Sequence, residues 1–287
     1  MVESKTFGSY YLPKIIIWII LGFISVVMLY PFLNVLAQSF SSNTPIVDGS
    51  VYLIPKGFTL KGYKFLFSYK LLFVSFFNTI LYTAVGTALN VVLTLFGAFA
   101  ITRKHLVFRK GFSVIIMLTL WFNAGIIPNY LTVSSYNLID NRLAMILPSA
   151  ITTYNLVVLK SFIDKVPQSL EEAAQIDGAN DFQVLFNVVL PLIIPGLATI
   201  AMYYAVRHWN DYIPALFYLR SKEKYPLQMI MRELVVLVNL QDIGAAGNGS
   251  QAVRYASIVF ATVPILAIFP YIHRKFVSGI MEGAVKE

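Results

Sequence analysis

The chain has 287 residues, of which 57% are hydrophobic and 13% charged, with a net charge of +8 and a mean hydropathy of +0.70. Soluble domains carry roughly 25% charged residues, and the charge-free runs from Leu71 to Ile101 and from Gly111 to Ile139 each exceed the roughly 20 residues that cross a bilayer, which excludes a water-soluble globule. Cysteine is absent, which excludes disulfides and thiolate metal sites, and the basic charge of so apolar a chain points to anionic lipid rather than nucleic acid.

A short segment, 1–14, carries Lys5 and Lys14 ahead of the apolar run from Ile15. That run is too long for a signal-peptide core and lacks a small-residue exit, so it reads as an uncleaved first span. Cutting the apolar runs at charges and turn residues predicts six spans, near 15–37, 73–101, 112–132, 142–162, 191–219 and 255–272. They are expected to be helices, because open sheets leave backbone groups unpaired in lipid. The fold class is therefore an all-α polytopic membrane protein, with its membrane domain over 15–275.

Between the spans, 38–72 and 220–254 are long and hold the breakers "SSNTPIVDGS" and "GAAGNGS", which predict irregular external loops with short helices. The second stretch is no phosphate loop, since no Gly-Lys-Ser/Thr follows it. Any ATP hydrolysis therefore belongs to another chain. Lysine and arginine nearly tie, eleven against ten, between the two faces. The tight loop "RKHLVFRK" (103–110) tips the balance toward cytoplasmic N- and C-termini.

One loop departs from this apolar pattern. Glu171, Glu172, Asp177 and Asp181 place four of fourteen acids within eleven residues. Pro167 suits a first helical turn, Ser169 with Glu172 a capping box, and Gly178 a left-handed stop. Asp181 suits the cap of a second short helix running to Leu190 and Pro191. Two short helices at an angle are expected, with Leu170, Ala173 and Ala174 on one, Phe182, Leu185, Phe186 and Val189 on the other, and acids on the rim. By spacing alone this is either an ordinary solvated connector or a docking knob.

The segment resembles the EAA signature of permease subunits of bacterial ABC importers. Glu172-Ala173-Ala174 is followed by three residues and Gly178, then nine residues, Val188, one residue, and Leu190-Pro191. Valine stands at position 188 where isoleucine is commoner. The resemblance implies a cytoplasmic coupling loop, 166–190, that docks on an ATPase subunit through Glu171, Glu172, Ala173, Ala174, Asp177, Gly178, Leu190 and Pro191. ATP and Mg would reside on that partner, with no cofactor in this chain. It also implies a second homologous permease, two ATPase subunits and an extracytoplasmic solute-binding protein, in a bacterial cytoplasmic membrane.

Along nearly its whole length the chain is similar to carbohydrate-uptake permeases of the maltose type, the smaller of the two partners, with "WND" at 209–211 and "FVSGIMEGAVKE" at 276–287. In that family such a tail reaches the ATPase dimer, whereas read by itself it is a frayed cytoplasmic terminus. "FNAGIIPNYL" and "YNLIDNRLAMILP" look most like the branch serving complex or acidic oligosaccharides in Gram-positive bacteria. Arg207, His208, Trp209, Asn210, Asp211 and Tyr212 lie inside the fifth span, where charge is costly unless it faces a cavity or a partner. They are candidates for the translocation path, with sugar contact and a structural Arg207–Asp211 pair both open. Beside an ABC importer permease for a non-sugar solute, the rival classes are an ion-coupled secondary transporter and a membrane enzyme using Asp211 and His208. Neither of the last two gives the EAA spacing a role.

Overall fold

A computed structural model describes residues 7–242 and 251–267, with side chains from Lys14 to Val236 and from Gln251 onward. The described residues are helical, without strands. In chain order, α1 (Phe7–Ser39) is followed by the short α2 (Asn43–Val47) and α3 (Lys61–Ser68), and then by α4 (Lys70–Thr102). Next come α5 (Arg109–Trp121), α6 (Ile126–Ser135), two 3-10 turns (Arg142–Met145 and Leu147–Ser149) and α7 (Thr153–Ile163). The acidic segment gives α8 (Gln168–Ile176) and α9 (Asp181–Gln183), which leads through a π turn (Val184–Val189) into α10 (Leu190–Asn210). The order ends with α11 (Ile213–Tyr218), α12 (Leu227–Asp242) and α13 (Gln251–Ala267).

Among the described residues three helices are long and apolar enough to cross a membrane singly: α1, α4 and the rod Asp181–Asn210. The expected span 112–132 is not one helix. α5 and α6 meet at 120°, because Asn123 Oδ1 accepts the Gly125 N–H at 2.9 Å and Gly125 adopts a φ of +84. The expected span 142–162 is likewise bent by 51° between its 3-10 turns and α7. Span 191–219 breaks after Asn210, where Asp211 turns extended (ψ 114) ahead of the Pro214 turn of α11. The sixth expected span begins in α13 and continues past the described residues, as do the tail 276–287 and "GAAGNGS". The expected irregular loop 220–254 instead contains the sixteen-residue α12. Leu227, Ile230, Met231 and Leu234 recur at helical spacing and are all buried.

The chain forms two compact units. In the first, residues 1–69 with 231–262, Ala37, Ile46, Val51 and Ala252 make a small core. Asn34 donates to the carbonyls of Val51 and Tyr52 at 3.0 and 2.7 Å, and Phe40 lies against the rings of Phe58 and Tyr63. These contacts order much of 38–72 despite its breakers.

In the second, residues 70–230 with 263–287, the described residues centre on α4, α7 and α10. Their shared core includes Ala98, Leu159, Val184, Val189, Ile193 and Ile200. Tyr204 is matched inside it: its hydroxyl bonds Thr94 at 2.7 Å and accepts the Thr152 N–H at 3.0 Å. Asn78 Nδ2 donates to the carbonyls of Glu223 and Tyr225, and the Tyr82 hydroxyl to that of Lys224. Alongside, Asp140 accepts from the Arg220 and Ser221 N–H groups, the Ser221 hydroxyl and Lys224 Nζ. Those donors, led by Lys224, hold its carboxyl well below the usual carboxylate range.

Candidate functional site

The acidic segment folds into an elbow. α8 starts at Gln168 with Pro167 as its cap residue, and Ser169 forms no cap bond, so the expected capping box is absent: the helix begins one residue before Ser169. Gly178 (φ +86) ends the arm as expected. Ala179 N–H reaches the Ala174 carbonyl at 2.9 Å and Gly178 N–H reaches Gln175 at 3.0 Å, the paired bonds of a Schellman turn. The second arm is capped by Asn180 rather than Asp181. Asn180 Oδ1 accepts the Gln183 N–H, and Gln183 Oε1 accepts the Asn180 N–H, at 2.9 and 2.8 Å. An amide at both ends of the four-residue box completes this reciprocal pair.

The second arm does not stop at Leu190 and Pro191. Pro191 lies inside the continuous run, directly after the π turn Val184–Val189, where the ladder is already irregular and its missing N–H is accommodated. Val184, Leu185 and Val189 bury themselves against α4 and α7, while Phe182 and Phe186 pack edge-on against Phe96, each at 6.3 Å. On α8, Leu170 is 46% exposed and Ile176, near the bend, 86%. Glu172, Ala173, Asp177 and Gly178 are exposed as well.

The four acids do not all lie on a rim. Glu171 turns inward onto Arg103, whose guanidinium forks onto both carboxylate oxygens, with side-chain exposures of 13% and 10%. The same guanidinium stacks over the Phe99 ring at 4.1 Å and donates to Thr102 Oγ1. Lys104 donates to Gln168 Oε1 at 2.8 Å, and His105 lies 3.2 Å from Asp181. Sequence reasoning used Arg103–His105 only for orientation. A dense cation cluster matched by a dense acid cluster was the available signal.

The second candidate site is the end of α10, and its six residues divide. His208 is buried, with Nε2 3.0 Å from Asn90 Nδ2. A Cβ on Gly86 would come within 2.5 Å of that Nε2, so glycine is what lets α4 and α10 approach here. Trp209 is buried edge-on against Phe76 at 6.1 Å. Asn210 and Tyr212 are exposed. Arg207 and Asp211 stand 4.0 Å apart, with side-chain exposures of 41% and 19%. Asp211 Oδ2 is buried with no hydrogen-bond partner, as are the hydroxyls of Thr83 and Thr87 on α4. Among the described residues no cluster of His, Asp and Glu suits a metal ion.

Comparison with known proteins agrees with this architecture. The chain is 37% identical to the polygalacturonan/rhamnogalacturonan transport system permease protein YtcP of Bacillus subtilis (strain 168), over 93% of this chain and 97% of that protein. It is also 37% identical to Protein LplC of the same organism, over 93% and 92%. Among solved structures it resembles a chain of a bacterial ABC transporter involved in the import of the acidic polysaccharide alginate. That likeness has a TM-score of 0.83 and 31% identity, covering 93% of this chain and 98% of the other. Residues 94–282, two thirds of the chain and the whole of both candidate sites, match one family profile. The protein therefore belongs to the binding-protein-dependent transport system inner membrane components, as a permease subunit of an ABC transporter.

Proposed function

We propose that this permease works in an ATP-driven importer of carbohydrate, and that its cargo is a complex or acidic oligosaccharide delivered by an extracytoplasmic solute-binding protein. The observation that carries the reading is the near-whole-chain likeness to a subunit of an importer of an acidic polysaccharide. The 37% identity to a polygalacturonan/rhamnogalacturonan permease supports it. Arg207, a fixed cation at the broken end of α10, is a fitting partner for a sugar carboxylate.

A second homologous permease completes the path, and two ATPase subunits holding ATP and Mg drive it. The elbow at Gly178 is the coupling surface. Its exposed Leu170, Ile176 and Phe182 offer apolar surface to a partner, the most at Ile176, where near-complete burial is worth about 1.5–3 kcal/mol, and exposed Glu172 and Asp177 supply charge for basic residues there. Closure of the ATPases moves the elbow and switches the path between faces as a two-state change. The elbow, both termini and the loop at Lys104 are cytoplasmic in this reading.

The test is uptake into vesicles containing the assembled transporter and its binding protein. ATP-dependent entry of oligouronides, in preference to neutral oligosaccharides of equal length, is expected. Uptake driven by an ion gradient without ATP, or of amino acids alone, would overturn the reading.

A further inference from the structure

We infer that Arg103, Lys104 and His105 form a clasp that grips both arms of the coupling elbow and passes its movement to α4. The inference rests on the coupling role proposed above. α8 has no fully buried residue and meets the core only through the partly buried Ala174, so apolar packing holds its angle to the membrane helices weakly. Polar contacts to the end of α4 fix it. Arg103 forks onto Glu171 and Lys104 reaches Gln168, both on the first arm; His105 meets Asp181 on the second. Three consecutive residues thus straddle the bend at Gly178.

The guanidinium is itself fixed, stacked on Phe99 and bonded to Thr102 in the last turn of α4, which Arg103 directly follows. Glu171 therefore engages a group that cannot swing independently of α4. A two-pronged contact transmits direction as well as distance, which a single ammonium would not. α4 in turn packs along α10 and carries Asn90, the partner of His208 beside the proposed path. Arg103 is thus a positioning residue: it need never touch ATP, the ATPase or sugar.

The experiment uses the transporter assembled in lipid vesicles with its ATPase and binding protein. It reads retention of the ATPase on purification and the ratio of hydrolysis with and without loaded binding protein. Arg103→Gln should keep the ATPase bound while the ratio falls toward one, the value without coupling, and Glu171→Gln should lower the ratio in the same way. Arg103→Lys should be intermediate, and the exchange Arg103→Glu with Glu171→Arg should recover much of the ratio. An undiminished ratio in both single variants overturns the clasp. So does loss of the ATPase in both that the exchange does not restore, which would make the pair a folding contact only, and so does an exchange as poor as the single changes. Gly178→Asp separates the two claims. If it transports normally, the coupling elbow itself is wrong; if it fails while Arg103→Gln is normal, only the clasp is.

Discussion

Gly86 and His208 show how one residue sets the distance between two membrane helices. With no side chain at 86, the imidazole sits against the α4 backbone and meets Asn90. Gly86→Val would force the helices apart. Overpacking of this kind costs about 1–3 kcal/mol, and the purified complex should melt earlier in a thermal unfolding assay. Arg207 and Asp211 behave differently. Asp211 is only 19% exposed, but Arg207 is two-fifths exposed and 4.0 Å away, and a pair that long with an open cation is worth about 0–1 kcal/mol. Arg207→Ala should therefore leave the assembled complex within about 1 kcal/mol of its original stability while raising the concentration of acidic sugar needed for half-maximal transport. A large loss of stability with unchanged transport would mark Arg207 as structural instead.

Among the elements, the connections carry more order than their composition suggests. Asp140, at the turn between α6 and the 3-10 helix, gathers the loop that follows α11. Because its carboxyl is held below the usual range, the ionised form stabilises this latch. The contribution is present above the ordinary carboxylate pKa and is lost as pH falls through the depressed native value. Asp140→Asn should thus speed amide exchange over 219–225 at neutral pH, whereas the original chain should keep its protection at about pH 4, near an ordinary carboxylate pKa. Equal exchange in both would show that the latch is held by Asn78 and Tyr82 alone. The elbow was legible in sequence because a glycine stop is local chemistry, as was the spacing from Glu172 to Pro191. Glu171's partner was not legible, since it lies 68 residues away. The split of 112–132 into α5 and α6 was missed for another reason. Hydropathy registers side chains, while the break comes from an Asn123 side chain turning back onto the backbone at Gly125.

Across the molecule, the charge reading assigns 103–110 and the elbow to one face, and 140–142 and 220–224 to the other. Members of each set meet in the second unit: Arg103 with Glu171, and Asp140 with Lys224. The absence of native cysteine allows orientation to be measured directly. Ile176→Cys should react with a membrane-impermeant thiol reagent only from the cytoplasmic side and Ile54→Cys only from the outside, both positions being exposed. The reverse pattern would invert the chain. Gly62 would be a poor probe, since it lies against the backbone of Ala252.

The unbroken run from Asp181 to Asn210 has thirty residues and a length of about 45 Å at 1.5 Å per residue. It makes a beam with the elbow at one end and Arg207 at the other. Pivoted at its middle, such a beam tilted by about 10° displaces each end by about 4 Å. The two displacements point in opposite directions. Under the proposed coupling, a push at the Asp181 end would close one side of the bundle while drawing the Arg207 end the other way, so a single rigid strut would keep both sides from standing open together.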